Sequence, residues 1–321
     1  MTTAGVAPSG RRASPTFGVV VLNWNNAEDT IACVEALVDT TPRPDHVVVV
    51  DNGSADNSLT RIKDWVSFLE SQSDFAGPHI HLIASGRNLG FAGGTNRGLD
   101  WLMSETDVSH LMLLNNDATV SRSFFADASE ALAQIGDDSV VGPTIFQDPD
   151  RTKVWYAGAV EIPYRALVEH ILSYPDSTDP RPTDFVSGCA MIVSRGVIDK
   201  IGRLSEFFFP AYFEDGDFCH RARKAGFPVM YAPKPAAYHK VGSTVRAANL
   251  ETLLAYSKSR LRVIYVRRNY SGARKLAALT YLGLTKPARF AVDVLRGRPK
   301  EAWAILSGTS SGFLARHVSD R

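Results

Sequence analysis

Three short, almost purely apolar runs set the frame of this chain: Phe17 to Leu22 (FGVVVL), His46 to Val50 (HVVVV) and His110 to Leu114 (HLMLL), each followed at once by a polar cluster. Strands of that kind bury both faces, so they belong to a parallel or mixed sheet covered by helices on either side. Between the first two, Ile31, Val34, Leu37 and Val38 fall at helical spacing within Thr30 to Val38, and the unit reads strand, helix, strand. In open sheets of this type, ligands gather at the carboxyl ends of the strands. There stand Asn23-Trp24-Asn25-Asn26, then Asp51 through Ser58, then Asn115-Asn116-Asp117.

Each cluster also has an ordinary reading. Asp56 or Asn57 suits the cap of a helix beginning near Leu59, and an Asn-Asn-Asp run is common turn chemistry. Asp51 differs because it follows its strand directly and would face the crevice, where a carboxylate accepts a hydrogen bond from a nucleobase imide or ribose hydroxyl. Asp117, at a strand tip, suits a hard divalent cation that bridges to phosphate oxygens. After a further strand, His81 to Ala84, the glycine-rich run Arg87 to Gly98 leads into a helix expected from near Gly94 to Met103. Bare amides at that N-terminus, flanked by arginines, would favour a diphosphate. The run is neither a Walker loop nor the dinucleotide fingerprint, lacking both Gly-Lys-Ser/Thr and GxGxxG.

Further on, Glu214-Asp215-Gly216-Asp217 precedes an expected helix, Phe218 to Ala225. A carboxylate here can serve as general base or as a negative charge at a helix N-terminus. The helix reading is the better one for Asp217; both stand for Glu214. Neighbouring carboxylates and a dry pocket would raise the pKa of the base. His239 follows a short strand, Val229 to Ala232, and its proline-rich connection; an imidazole there accepts manganese or a phosphate contact. Cys189, within FVSGCAMIV, reads first as a small core hydrophobe. The three cysteines, Cys33, Cys189 and Cys219, are too far apart for a CxxC site and support no disulfide framework, so a reducing cytoplasm is the expected compartment.

At 321 residues the chain can bury one large core and an appendage. Residues 1–16 lack an apolar h-region and read as a disordered lead rather than a signal peptide. No stretch reaches the ~20 apolar residues that span a bilayer. The net charge of +1 hides an asymmetry: Lys240 to Arg321 holds 16 Lys+Arg against 4 Asp+Glu, or +12, leaving −11 for the rest. Leu250 to Tyr270 and Arg274 to Leu295 show helical patterns mixing basic and apolar residues. Such helices suit a membrane surface, with Arg267, Arg268, Arg274 and Lys275 as lipid contacts, or equally a helical cap or homodimer interface. Nucleic acid is a poorer partner, because no recognised module accompanies the charge.

The segments VVVLNWNN (19–26), VVVVDNGSADNS (47–58), RNLGFAGGTNRG (87–98), LLNND (113–117), FVSGCAMIVSR (185–195) and FFFPAYFEDGDFCHRARKAGF (207–227) together resemble the bacterial branch of glycosyltransferase family 2. These are enzymes of GT-A fold, an α/β architecture with a mostly parallel central sheet, and many are rhamnosyltransferases. The resemblance implies a catalytic domain over residues 17–245 and leaves 246–321 as a basic, helical C-terminal region. It implies donor contacts at Asn23, Asp51, Asn88, Gly90, Gly93, Asn116 and Asp117, with Asp51 on the nucleotide base. Asn116 and Asp117 occupy the family's Asp-x-Asp positions; Asn115 and Asn116 depart from it, leaving one carboxylate. A divalent metal, Mg2+ or Mn2+, would be held by Asp117 and His239 and completed by the donor diphosphate.

Asp215 matches the family's base, with Glu214 beside it, and Gly188 and Cys189 lie at the implied acceptor site. The implied activity is inverting, metal-dependent transfer from a nucleoside-diphosphate sugar such as TDP-rhamnose to a cell-surface glycan or lipid-linked acceptor, in the cytoplasm or at the inner face of the plasma membrane. A non-catalytic nucleotide-sugar or glycan binder and a nucleotidyltransferase are the alternatives.

Overall fold

A computed structural model describes residues 14–136, 138–240 and 251–315. Most of the lead expected over residues 1–16, and the expected boundary at residue 245, lie outside the described residues.

The apolar runs form the strands they announce: β1 (Phe17–Asn23), β2 (His46–Asp51), β3 (His79–Ala84) and β4 (His110–Asn115). Helix α1 (Ala27–Val38) joins β1 to β2, α2 (Ser58–Glu70) joins β2 to β3, and α3 (Gly90–Glu105) joins β3 to β4. β5 (Ala118–Val120), α4 (Phe124–Ile135), β6 (Val140–Gln147) and β7 (Val154–Tyr156) follow. A hairpin of β8 (Ala159–Ile162) and β9 (Leu167–His170) then stands apart from the main sheet. β10 (Arg181–Pro182), β11 (Ala190–Ser194), α5 (Arg195–Ile201), α6 (Glu214–Lys224) and β12 (Val229–His239) complete the α/β body. The chain continues as α7 (Glu251–Asn269), α8 (Gly272–Leu295) and α9 (Pro299–Leu314).

The main sheet runs β10-β12-β6-β11-β4-β1-β2-β3, with β5 on β12 and β7 on β6. β4, β1, β2 and β3 are parallel, whereas β11 is antiparallel to both β4 and β6, so the sheet is mixed. Alternate residues of one strand enter opposite cores. Val19 and Val21 pack with Cys33, Val34 and Leu37 of α1; Val20 packs with Leu99 and Leu102 of α3 and Phe218 of α6. In register, Asn23 lies opposite Asp51, and Leu22 opposite Asn115, which brings the polar tips of three strands to one edge.

Two boundaries differ from the sequence reading in ways that matter. The helix expected from Phe218 begins at Glu214, so Glu214, Asp215 and Asp217 all lie in its first turn. His239 ends one long strand rather than following a short one, because β12 tolerates a register shift between Tyr231 and Ala236 at its prolines.

The C-terminal helices carry a small core of their own, in which Leu261, Ile264 and Tyr265 of α7 meet Leu282 of α8 and Phe208. Gly308 and Gly312 let α9 approach the α7 backbone, where a Cβ would collide with the carbonyls of Tyr256 and Arg260. The basic residues read as lipid contacts are engaged internally. Arg268 Nε lies 3.0 Å from Asp217, and Arg274 lies 2.7 Å from Glu161. Arg267 and Lys275 donate to the carbonyls of Gly312 and Arg267, each at 2.7 Å. For Arg268 and Arg274 the tie is a charge-assisted one between a guanidinium and a carboxylate.

Candidate active site

At the strand tips, Asn23 is fully buried. Its Nδ2 donates to Asp51 Oδ1 at 2.7 Å, and its Oδ1 accepts from Thr30 at 2.7 Å. Thr30 Oγ1 in turn accepts from Asn116 Nδ2 at 3.0 Å. Asp51 also accepts the Ser54 amide at 3.1 Å and the Ser54 hydroxyl at 2.5 Å, which folds the loop after β2. This network ties β1, α1, β2 and β4 together. Thr30 and Ser54 were not singled out in the sequence; the only signal is their placement near the asparagine and aspartate clusters they join.

The glycine-rich segment is occupied differently from the expected cradle of bare amides. Leu89 N donates to Asn52 Oδ1 at 2.9 Å, Gly90 N to Asn88 Oδ1 at 2.8 Å, and Phe91 N to the Pro210 carbonyl at 2.7 Å. Gly90 has φ +74°, and a side chain there would press on Phe209 and Pro210. Gly93 is buried against Leu89, with the Glu206 carboxylate nearby. These glycines serve close packing and the sharp entry into α3, which begins four residues earlier than its apolar spacing suggests.

Asp117 is buried beside β12, and its Oδ1 lies 3.1 Å from His239 Nε2. Burial opposes protonation of His239, but Cys189 and Asp117 outweigh it and push its pKa up to about 10. His239 Nδ1 is buried without a hydrogen-bond partner. The Asp117 carboxylate and the His239 Nε2 that faces it fit a divalent cation that takes its remaining ligands from a diphosphate. Among the described residues no cluster of three or more His, Cys, Asp or Glu surrounds them. Asn115 and Asn116 could add only neutral amide oxygen, and the Asn116 amide nitrogen, which donates to Thr30, fixes that side chain's orientation.

Asp215 approaches from the other side of the sheet edge. Its Oδ2 accepts the Gly188 amide at 3.1 Å and its Oδ1 the Gly216 amide at 2.8 Å. The next residue, Cys189, accepts the Asn115 amide at 2.9 Å. The Gly188-Cys189 segment therefore links the carboxylate of α6 to the strand that delivers Asp117. Gly188 sits between the Phe91 ring and Asp215, where a Cβ would stand 3.3 Å and 3.5 Å away. Cys189 is buried.

The two adjacent carboxylates are unequal. Burial raises Asp215, and its amide partners oppose that rise. Glu214 is raised further, first by burial and then by the Asp215 charge, and its Oε2 is buried with no partner. Burial therefore favours the neutral form of Glu214 more than that of Asp215, whose two amide partners support its charge. Asp217 is fully buried and engaged by Arg221 at 2.8 Å, Arg268 at 3.0 Å and Asn269 at 3.0 Å. It fastens α7 to α6, so its structural reading is the one that fits.

Residues 18–202 match the model of "Glycosyl transferase family 2". The chain belongs to that family. It is 26% identical over 231 residues to the low-salt glycan biosynthesis hexosyltransferase Agl10 of Haloferax volcanii, covering 70% of this chain and 66%, just under two thirds, of that protein. It is 27% identical over 255 residues to the N-acetylglucosaminyl-diphospho-decaprenol L-rhamnosyltransferase of Mycobacterium tuberculosis, covering 71% of this chain and 77% of that one. The fold matches the mannosyltransferase PcManGT of Pyrobaculum calidifontis, solved with GDP-Man and Mn2+, at a TM-score of 0.57 and 14% identity, over 98% of this chain and 92% of that chain. This family 2 glycosyltransferase thus has the GT-A fold, and its named relatives lie among hexosyl- and rhamnosyltransferases.

Proposed function

We propose that this glycosyltransferase moves a hexose, such as rhamnose from a TDP-sugar, onto a hydroxyl of a surface glycan or lipid-linked acceptor with inversion at the anomeric carbon. The observation that carries the reading is the linkage of Asp215 to the Asp117 strand through Gly188 and Cys189. In this account Asp51, fixed by Asn23 and Ser54, accepts from the base or ribose of the donor. Asp117 and His239 would hold a divalent cation, which would supply charge neutralisation for the diphosphate. Holding a cation there would require an unprotonated His239 Nε2. Asp215, its charge supported by two amide partners, takes the acceptor hydroxyl's proton as its oxygen attacks the anomeric carbon. Glu214, in the neutral form that burial favours, would leave a single negative charge at the reacting centre.

A panel of nucleoside-diphosphate sugars with Mn2+ and a glycan acceptor tests this. Release of nucleoside diphosphate with a new glycosidic product is expected. Release of pyrophosphate would indicate nucleotidyl transfer, and donor binding without turnover a binding protein; either outcome overturns the proposal.

A further inference from the structure

α8 is turned inside out relative to a helix that faces water. Leu276, Thr280, Leu284, Ala288, Ala291 and Leu295 are all exposed and recur at the spacing of one face. Between Leu276 and Leu295 the one charged residue in the exposed class is Arg289, held at 2.7 Å by Asp293. Lys286 points inward instead, and burial followed by the nearby Arg262 and Arg289 lowers its pKa to about 8. Leu284 is 72% exposed and Leu295 87%. α9 continues the face with Trp303, whose ring lies 6.2 Å from Phe290, and with Leu314. A groove of about 550 Å³ beside it is lined by Arg260, Trp303, Leu306, Ser310 and Leu314. The link between the helices, Arg296-Gly297-Arg298-Pro299-Lys300, places three cations at one end of this apolar surface.

We propose that the outer face of α8 and α9 docks on an anionic lipid surface. Leu284, Leu295, Trp303 and Leu314 enter the boundary between headgroups and acyl chains, and the exposed Arg296 and Lys300 meet lipid phosphates, while Arg298 is held by Asp293 at 3.0 Å. The helices lie on the bilayer, since no helix among the described residues is long and apolar enough to cross it. Charge favours lipid over a second copy. Residues 251–315 hold 12 Lys+Arg and 3 Asp+Glu, so 12 − 3 = +9 would be set against +9 in a self-association through this face. The proposal does not depend on which sugar is transferred, and its cations are distinct from Arg267, Arg268, Arg274 and Lys275, which are spent within the fold.

Sedimentation of the full chain with equimolar phosphatidylglycerol–phosphatidylcholine vesicles tests it. Binding is expected in low salt, with little on pure phosphatidylcholine, and should weaken as salt rises. The double variants Leu284→Glu/Leu295→Glu and Arg296→Glu/Lys300→Glu should each bind at least about tenfold more weakly, with thermal unfolding unchanged because all four side chains face outward. Should a variant misfold, brominated-acyl vesicles give a second reading: they should quench wild-type fluorescence more than that of Trp303→Phe. Absence of vesicle binding by the intact chain, or equal binding by folded variants, overturns the proposal. So does sedimentation velocity showing a dimer that the leucine variants dissolve, with no lipid bound.

Discussion

Asp215, the proposed base, shares the first turn of α6 with Glu214. Asp215→Asn should keep donor affinity and lose at least ~100-fold in turnover, read by calorimetry and initial rates. Glu214→Gln should lose far less, because burial and the Asp215 charge favour the neutral form of Glu214; a large loss there with an active Asp215→Asn would exchange the roles. Turnover needs Asp215 ionised, and its pKa is raised by burial, so the acid limb of the rate profile should lie above the ordinary value of 3.8 and fall as pH drops. Glu214 works oppositely on stability. With its folded pKa above the unfolded 4.5, the folded state holds a proton that the unfolded state has released, so its contribution is present below 4.5 and lost as pH rises through the folded pKa. Glu214→Gln should flatten that decline in denaturation curves. Gly53, at φ +69° where an added Cβ would collide with the Arg87 backbone, should tolerate no side chain. Gly53→Ala should cost more than about 1 kcal/mol in urea unfolding.

At the scale of elements, α7 is what holds the catalytic turn. Tyr212 and Phe213 both have positive φ, 85° and 75°, a conformation bulky residues keep only where their surroundings enforce it. Lys258 of α7 stands 4.0 Å over the Tyr212 ring, Tyr265 lies 5.6 Å from Phe213, and Arg268 and Asn269 grip Asp217 one turn later. Asp217→Ala should therefore destabilise by about 3–5 kcal/mol, the usual loss when one partner of a buried pair is removed, measured by chemical denaturation. A loss below 1 kcal/mol would mean the tie is incidental. Little of this was legible in the sequence, because Asp217 and Arg268 are 51 residues apart and nothing in either segment names the other. The strands of the first half were legible for the opposite reason. Burial on both faces writes an unbroken β-branched run, as in Val47 to Val50. β6, interrupted by Gly142 and Pro143, and the two-residue β10 write no such signal.

Over the whole molecule, a GT-A body carries the chemistry and a helical cap both braces it and turns an apolar face outward. The sequence disclosed the +12 of residues 240–321 and left the membrane and cap readings level, since composition counts charges without saying that Arg268 and Arg274 face Asp217 and Glu161. Likewise it grouped Asp117, His239 and Asp215 only through resemblance; the link from Asp215 to the Asp117 strand runs through Gly188 and Cys189, and Cys189 reads first as core. The most direct measurement of the central claim is the anomeric configuration of the product, by NMR, from whichever nucleoside-diphosphate sugar is turned over. Inversion that disappears with turnover in Asp215→Asn is the result expected of a single base acting opposite the leaving diphosphate. A retained anomer, or undiminished transfer by Asp215→Asn, would contradict it.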